Sequence, residues 1–440
     1  MDVILGLIIS TIIFVTGVIK GIDTVISLII VLCLFFFIAI KRGVSIKDGL
    51  QYFIKGGKES IGVLKIFILI GGIVSLWMLS GTVPSIVYYG INLIHPSFFA
   101  VSAFILSAFI SMLLGTSFGT IGTVGISLMV MARAGGGNPF IIAGAILSGA
   151  YFGDRSSPMS SSANLVASIT DTNLYDNIKR MTKTSLIPLI LSLVLYLILS
   201  LYMPVNYSNS DILYNLTSTF HINLTILLPA LIIIVLSFFK VEVKISMLIS
   251  MIVAAIIALI FQNASFMEII KTAILGFELP KDNSLHNIIK GGGILSMIKL
   301  ALIVFLSSAL TGIFQGANML DFIEDYLNKI KRPDSLFLTT IITSIISSMV
   351  GCTQVLAVML TKMTMENTYL RLGYDSDKLA LDIENSAIVI APLIPWNVAV
   401  LVPLTTLGVD ARAILFSFYL ILLPLINLIV IHFKDISISK

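Results

Sequence analysis

The chain has 440 residues, of which 57% are hydrophobic and only 11% are charged, and its formal net charge is +4. A soluble domain carries about 25% charged residues, so this chain has too few polar side chains to cover a soluble core. The composition therefore excludes a soluble enzyme, a disordered chain and a disulfide-rich secreted scaffold. It predicts an all-α polytopic membrane protein whose partner is the lipid bilayer.

The two cysteines and four histidines occur in no spacing that is typical of a metal site or a disulfide framework. Lysine and arginine lie mostly in short connecting segments, a distribution that sets membrane orientation and does not indicate a nucleic-acid surface. The sequence thus predicts no cofactor and no nucleic-acid partner. The apolar start, Val3 to Val18, has no cleavage-site context, so we interpret it as a retained first helix rather than a signal peptide.

A helix that spans a bilayer needs about 20 apolar residues. The apolar runs that approach this length are Val3–Ile19, Val25–Ile40, Gly62–Leu79, Phe98–Leu114, Ser185–Met203, Leu224–Phe239, Ile245–Phe261, Ile294–Phe314, Leu336–Val350 and Ala413–Phe433. The segment from Lys41 to Lys65 is rich in lysine and is expected in the cytoplasm, whereas Pro204 to Phe220 has no Lys or Arg and is expected outside. Two helices precede the basic segment, so we expect a cytoplasmic N-terminus.

Two regions, Gly115 to Thr170 and Gly351 to Leu407, are apolar enough for membrane depth but are interrupted by Gly, Pro, Ser, Thr and Asn. An unpaired backbone group in hydrocarbon is costly, so a broken helix is tolerated only where protein buries it or where it lines a wet cavity. We therefore predict discontinuous helices and re-entrant hairpins in both regions.

The two regions also resemble each other. Ser111 to Ser117 parallels Ser347 to Thr353, and each region later has an acid in an apolar run, Asp154 in the first and Glu384 in the second. Each acid is followed by a proline-containing stretch that ends in asparagine. Paired, interrupted hydrophobic segments in two halves of a chain predict a secondary transporter with its binding site at the repeat interface.

This pattern predicts four parts. They are an N-terminal transmembrane hairpin with a basic cytoplasmic loop (1–59), a first repeat (60–204), connecting helices (205–289) and a second repeat (290–440). The number of crossings between the halves decides their relative orientation, and we expect the repeats to be inverted.

Asp154 is the centre of the first region, because a carboxylate at membrane depth is costly and indicates a functional site. Serine and asparagine oxygens follow it, and with the carboxylate they form a hard donor set that suits an alkali cation or a small polar solute. The same carboxylate can carry a proton, and Arg155 is expected to pair with it when the site is empty. The predicted ion- or substrate-binding residues here are Asp154, Arg155, Ser157, Ser160, Ser161 and Asn164. A plain loop closed by an Asp-Arg pair near the interface is the alternative.

Glu384 is the second acid, and it is followed by Asn385. We predict that both contribute to the site; the alternative is a helix start, where an acid favours the positive end of the helix dipole. Trp396 and Asn397 lie deeper in the apolar run, and Asn397 parallels Asn164. The residues predicted to contact Na⁺ itself are Asp154, Ser157, Asn164 and Asn397.

The run from Gly115 to Gly125 alternates glycines with hydroxyl residues. Its indication of a phosphate-binding loop is weak, because the run does not follow a strand; small residues that allow close helix approach, or an unwound helix, fit better. Thr116 and Ser117 are candidate ligands, with Cys352 and Thr353 as their counterparts in the second region.

Several motifs resemble those of the NhaC family of bacterial sodium/proton antiporters, within the ion-transporter superfamily. The matching segments are Ser75–Pro96, Gly115–Gly125, Gly149–Ala167 (GAYFGDRSSPMSSSANLVA), Gly291–Met297 and Ala391–Asn397 (APLIPWN). The resemblance implies a multi-pass protein of the bacterial inner membrane that exchanges Na⁺ for H⁺ by alternating access. It is also compatible with a homodimer.

The chain departs from the family pattern at three positions. Arg155 replaces the signature lysine, Ser161 replaces its second aspartate, and Asn385 replaces one member of an acidic pair. Fewer acids leave fewer places to carry a proton. Since the resemblance also implies relatives that move organic anions or amino acids, sodium- or proton-coupled transport of an amino acid or carboxylate is the alternative.

Two other classes fit less well. An intramembrane aspartyl protease needs a second buried aspartate beside Asp154, and the upstream helices offer only Asp2 and Asp23 at helix ends. A channel would need no duplicated broken helices.

Overall fold

The computed structural model has an almost entirely helical fold. The residues that it describes are 2–20, 22–207, 212–239, 241–283, 285–286, 288–317, 319 and 333–438. Within these ranges the only strands are β1 (Phe277–Glu278) and β2 (Lys290–Gly291), which form a two-residue antiparallel ribbon. Helices satisfy every internal backbone group within one segment, as a bilayer requires, so the predicted all-α class is confirmed.

The helices are numbered in chain order. The first eleven are α1 (Asp2–Lys20), α2 (Thr24–Lys41), α3 (Ile46–Glu59), α4 (Ile61–Leu79), α5 (Thr82–Leu93), α6 (Phe99–Leu114), α7 (Ser117–Thr120), α8 (Ile126–Ala134), α9 (Pro139–Arg155), α10 (Ser161–Ile169) and α11 (Leu174–Tyr202). The others are α12 (Ile212–Thr219), α13 (Leu228–Phe238), α14 (Val243–Phe261), α15 (Phe266–Leu275), α16 (Ile298–Gly316), α17 (Pro333–Gly351), α18 (Gln354–Arg371), α19 (Ser376–Glu384), α20 (Ala387–Ile390), α21 (Val398–Leu407) and α22 (Phe418–Ile438). A π-helical turn, Ile121–Gly125, joins α7 to α8.

Six described helices or helical segments are long and apolar enough to cross a membrane, and the number rises to nine if each of three bent pairs counts as one span. Each of the ten predicted apolar runs overlaps a helix. The chain is therefore a multi-pass membrane protein. One bent pair, Ser376–Leu393 with Val398–Leu407, turns by 50° inside the second interrupted region.

We expected the basic segment from Lys41 to Lys65 to be a loop, but it contains the helix α3. This helix lies against α16, where an added Cβ on Gly56 would overlap the backbone of Gly312. Small residues allow helices to approach this closely in membranes, and that contact gives the segment a packed helical partner.

The two interrupted regions break their helices in the same way. Gly115 follows α6 with φ 64°, and Cys352 follows α17 with φ 51°, so both positions have left-handed backbone. The next residue caps the following helix in each case: Thr116 accepts from the amide of Gly119, and Thr353 accepts from the corresponding amide in α18. Thr353 is thus the counterpart of Thr116, because the left-handed residue defines the break. The sequence analysis had paired Thr116 with Cys352, which is one residue off.

The helix is interrupted again further along each region. Ser160 caps α10 and Asn397 caps α21, each by accepting from a backbone amide. The sequence spacing that relates Gly115 to Cys352 also relates Ser160 to Asn397. The counterpart of Asn397 is therefore Ser160 and not Asn164, since helix capping defines this break.

Candidate functional site

Asp154 lies in the last turn of α9, a helix that is buried along nearly its whole length. Two glycines, Gly149 and Gly153, let α9 approach α6 so closely that an added Cβ on either would overlap the α6 backbone. This contact brings the end of α9 to the break at Thr116. Asp154 is 6% exposed, and its Oδ2 accepts from the backbone amide of Ser117 at 3.2 Å.

The break after α9 closes around the same carboxylate. Ser160 donates its hydroxyl to Asp154 Oδ1 at 2.7 Å and lies 2.8 Å from the hydroxyl of Ser162. Ser157 is buried, and its hydroxyl accepts from the amide of Met159 at 3.2 Å. The structure thus groups Asp154, Ser117 and Ser160, with Ser157 in the same turn. Ser162 was missed by the sequence reasoning, which had no means of separating the buried serines of this run from the exposed ones.

Ser161 and Asn164 lie on the exposed side of α10. The side-chain amide of Asn164 donates to the carbonyls of Ser160 and Pro158, at 2.7 Å and 3.2 Å. Ser161, where the family signature has an acid, therefore stands outside the buried cluster around Asp154.

Arg155 is fully buried and turns away from its neighbour Asp154. Its guanidinium donates to Ser185 Oγ at 2.7 Å, to Tyr419 Oη at 2.8 Å and to Asn385 Oδ1 at 2.9 Å. The expected Asp154–Arg155 pair is wrong. An i,i+1 pair on a helix points in different directions, and Arg155 reaches residues far away in sequence instead.

The acid nearest to Arg155 is Glu384, whose carboxylate lies 4.0 Å from Arg155 Nε. Glu384 is 1% exposed, and among the described atoms neither of its oxygens has a hydrogen-bond partner; the same is true of Arg155 Nε. Glu384 is the last residue of α19, so the helix-start alternative is wrong. The negative end of a helix disfavours a carboxylate, and the guanidinium opposes that effect. Asn385 also accepts from Thr184 at 3.1 Å.

A second buried acid, Asp382, lies inside α19, two residues before Glu384. Its carboxylate accepts two bonds of 2.7 Å from Lys378 and one of 2.7 Å from Tyr369. The i,i+4 spacing of Lys378 and Asp382 was the sequence signal for this pair. No such local signal exists for Ser185 and Tyr419, which hold Arg155 across long sequence distances.

The two residues predicted at the break of the second region, Trp396 and Asn397, have partners other than the Asp154 cluster. Asn397 is buried, accepts from the amide of Ala399 at 2.9 Å and donates to the carbonyl of Ser348 at 2.8 Å. Trp396 stacks on Phe14 with ring centroids 4.6 Å apart. It lines an apolar cavity of about 490 Å³ that α1 and α17 also line. Trp396 thus belongs to the packing of the N-terminal hairpin.

Contacts between the two interrupted regions converge near Asp154. Arg155 on α9 reaches Asn385 and Glu384 at the end of α19, and the hydroxyl of Tyr151 donates to the carbonyl of Ala399 on α21 at 2.5 Å. The arrangement places a carboxylate at one broken helix beside a buried ion pair that links the two interrupted regions. A carboxylate with hydroxyl neighbours can bind a small cation or a proton.

Comparisons with known proteins agree with this chemistry. The chain is 29% identical to the Na⁺/H⁺ antiporter NhaC of Alkalihalophilus pseudofirmus over 389 residues, which is 86% of this chain and 84% of that protein. It is 27% identical to the malate-2H⁺/Na⁺-lactate antiporter of Bacillus subtilis (82% and 78% covered) and 26% identical to the arginine/ornithine antiporter ArcD of Halobacterium salinarum (85% and 79%).

The sequence profile of the Na⁺/H⁺ antiporter family matches residues 149–434. This range contains the break at Asp154, the Arg155–Glu384 pair and the second break at Asn397. The match covers more than half of the chain, and the predicted resemblance to NhaC is confirmed; the protein belongs to the Na⁺/H⁺ antiporter family.

Proposed function

We propose that the protein is a secondary active transporter of the bacterial inner membrane that exchanges Na⁺ for H⁺ by alternating access. The observation that carries this proposal is the buried carboxylate of Asp154 at a broken helix, held by the hydroxyl of Ser160 and the amide of Ser117. An ionisable group at such a position marks an ion path in membrane proteins, and broken helices form the binding sites of secondary transporters.

The cation binds at the first break in this proposal. Asp154 supplies the negative charge, and Ser157 and Ser160 supply neutral oxygens from the turn between α9 and α10. We leave Asn164 out of the cation site, because it lies on the exposed side of α10 and its amide is bonded to the carbonyls of Ser160 and Pro158. We leave Asn397 out of the cation site, because its amide oxygen and nitrogen are already bonded to Ala399 and Ser348. A proton that binds the same cluster displaces Na⁺, since both ions require the same negative charge. Competition of this kind gives exchange.

Alternating access requires that the two halves move relative to each other around this site. The four-part division with repeats at 60–204 and 290–440 is the framework that we propose for this motion, supported by the matching breaks at Gly115 and Cys352. The basic residues near α3 favour a cytoplasmic N-terminus.

Transport of an organic acid or amino acid is the second candidate, because two relatives are named for such substrates. A buried arginine is the natural partner of a substrate carboxylate. Arg155, however, already donates to Ser185, Tyr419 and Asn385 and faces Glu384 at 4.0 Å. Because both terminal nitrogens of the guanidinium are bonded and its Nε faces Glu384, the arrangement favours inorganic ion exchange over carboxylate binding.

The test is made in proteoliposomes that contain the purified protein and a pH-sensitive dye. An inward Na⁺ gradient is expected to raise the internal pH, and an equal choline gradient serves as the control. If Na⁺ produces no dye response while it drives uptake of a labelled carboxylate or amino acid, the antiporter proposal fails and the organic-solute alternative replaces it.

A further inference from the structure

Three formally charged side chains are buried where the two interrupted regions meet: Arg155 follows Asp154 at the end of α9, and its Nε lies 4.0 Å from the carboxylate of Glu384. Asp154 is 6% exposed, Arg155 is 0% exposed and Glu384 is 1% exposed. Their formal charges sum to minus one. A net charge in an apolar interior is strongly unfavourable unless an opposite charge compensates it. This charge triad therefore requires one further positive charge, and it has no place for two.

The surroundings of the triad do not change this sum. The other titratable or charged groups that lie on α19 or face the triad from neighbouring helices are Tyr151, Arg180, Tyr369, Asp377, Lys378, Asp382 and Tyr419. Asp382 is paired with Lys378, and Asp377 is paired with Arg180 at 2.7 Å. The three tyrosines are neutral donors or acceptors. Each of these pairs is neutral by itself, so the triad carries the uncompensated charge.

The geometry leaves room for a proton in the triad. Arg155 Nε and both oxygens of Glu384 lack hydrogen-bond partners among the described atoms, and the pair stays 4.0 Å apart, beyond hydrogen-bond distance. A proton on Glu384 would neutralise the triad. Sodium at Asp154 would neutralise it equally well, whereas both together would leave a buried positive charge.

We propose that the Asp154–Arg155–Glu384 triad admits one monovalent cation at a time, so that one Na⁺ exchanges for one H⁺ without net movement of charge. Arg155 is the positioning residue that sets this count, because it cancels one of the two carboxylates. This inference rests on the proposed Na⁺/H⁺ exchange. It adds the stoichiometry and the role of the ion pair between the halves.

The first experiment uses the wild-type protein. Na⁺-driven proton movement is measured in proteoliposomes under three conditions: with an inside-negative potential, with an inside-positive potential and with no potential. Valinomycin and a potassium gradient impose the potential. The same exchange rate is expected under all three conditions. A rate that changes with the potential overturns the one-for-one count. Absence of any Na⁺-driven proton movement is a different result, which overturns the proposed function itself.

The second experiment tests the charge count by rescue. Glu384→Gln leaves a neutral site, so Na⁺ binding creates a buried positive charge and the KM for Na⁺ is expected to rise about tenfold or more. Adding Arg155→Gln restores a formal charge of minus one, and the double variant is expected to recover the KM to within about threefold of wild type. A purely structural pair predicts the opposite, because a second buried deletion adds damage.

A matched control removes the neighbouring ion pair. The Lys378→Gln/Asp382→Asn double variant leaves the triad untouched, and its KM for Na⁺ is expected to stay at the wild-type value. Monodispersity and melting temperature in detergent identify variants that fold. If the double variant Glu384→Gln/Arg155→Gln folds and is no better than Glu384→Gln, the charge count is wrong. If either variant fails to fold, the wild-type measurement under an imposed potential still decides.

Discussion

The first break, in the region from Gly115 to Thr170, and the second break, in the region from Gly351 to Leu407, have similar backbone conformations but differ in chemistry. Gly115 and Cys352 both have left-handed backbone, and Ser160 and Asn397 both cap the next helix. The same sequence spacing relates Asp154 to Ala391, so the carboxylate of the first half has an apolar counterpart in the second. Two similar scaffolds thus carry one charged break and one neutral break.

This difference indicates a division of labour. The first break holds a carboxylate among hydroxyls, while the second uses its asparagine to bond its own backbone through Ala399 and Ser348. The acid of the second interrupted region, Glu384, lies at an earlier helix end and faces Arg155 of the first region. We infer that the first break binds the cation and that the second half supplies a charge which regulates that binding.

The largest effect is expected where the two breaks differ most. Asp154→Asn removes the negative charge of the first break, so Na⁺/H⁺ exchange in proteoliposomes should fall at least about 100-fold while the amount of folded protein is unchanged. The matched change at its counterpart, Ala391→Ser, adds a neutral hydroxyl and should leave more than half of the activity. Exchange retained by Asp154→Asn would remove this residue from the site.

A loss of stability is expected next, at the left-handed position of the first break. Gly115→Ala places a Cβ against the backbone of Met159 and adds the cost of left-handed backbone. We expect destabilisation by about 2 kcal/mol or more, measured as a lower midpoint of unfolding in mixed micelles. Gly136→Ala has a similar φ, 64°, with open space around it, and should lose only the backbone component. Equal losses for both variants would mean that contact with Met159 is unimportant.

The capping residues separate affinity from stability. Ser160→Ala and Asn397→Ala each remove a helix cap and should each destabilise the protein by about 1 kcal/mol. Only Ser160 also bonds the carboxylate of Asp154, so only Ser160→Ala should raise the KM for Na⁺ clearly, by about tenfold. If Asn397→Ala raises the KM equally, the second break contributes directly to the cation site and the proposed division is incorrect.

The smallest effect is expected at the left-handed position of the second break. Cys352 has φ 51°, which costs an ordinary residue about 1–2 kcal/mol, and Cys352→Gly removes that cost. The variant also loses a buried side chain and gains backbone freedom in the unfolded state, so the net change in the free energy of unfolding should stay within about 1 kcal/mol. A large loss of stability would show that the thiol packing at this break matters more than its backbone geometry.

Local patterns were sufficient to predict much of the site. The membrane fold, the two interrupted regions and the importance of Asp154 all follow from apolar run length, from breaks by Gly, Pro and Ser, and from the cost of a buried acid. The alignment of the two breaks was one residue off, because it matched Gly115 to Gly351. The structure matches Gly115 to Cys352, since a non-glycine residue occupies the left-handed position there.

Other features depended on contacts between distant residues. Adjacency suggested that Arg155 pairs with Asp154, whereas its partners Ser185, Asn385 and Tyr419 come from three other parts of the chain. Likewise, Trp396 lies in a site-like motif but packs on Phe14. The direction of a side chain on a helix depends on which helices surround it, and one sequence does not specify those neighbours.

Composition and local pattern were enough to identify a multi-pass, all-helical membrane protein with a buried acid at a broken helix, because bilayer thickness and backbone hydrogen bonding leave few other solutions. Which charges share the site depends on how the helices pack. The pairing of Arg155 with Glu384 arises where α9 meets the end of α19, and the net charge of the triad depends on that contact.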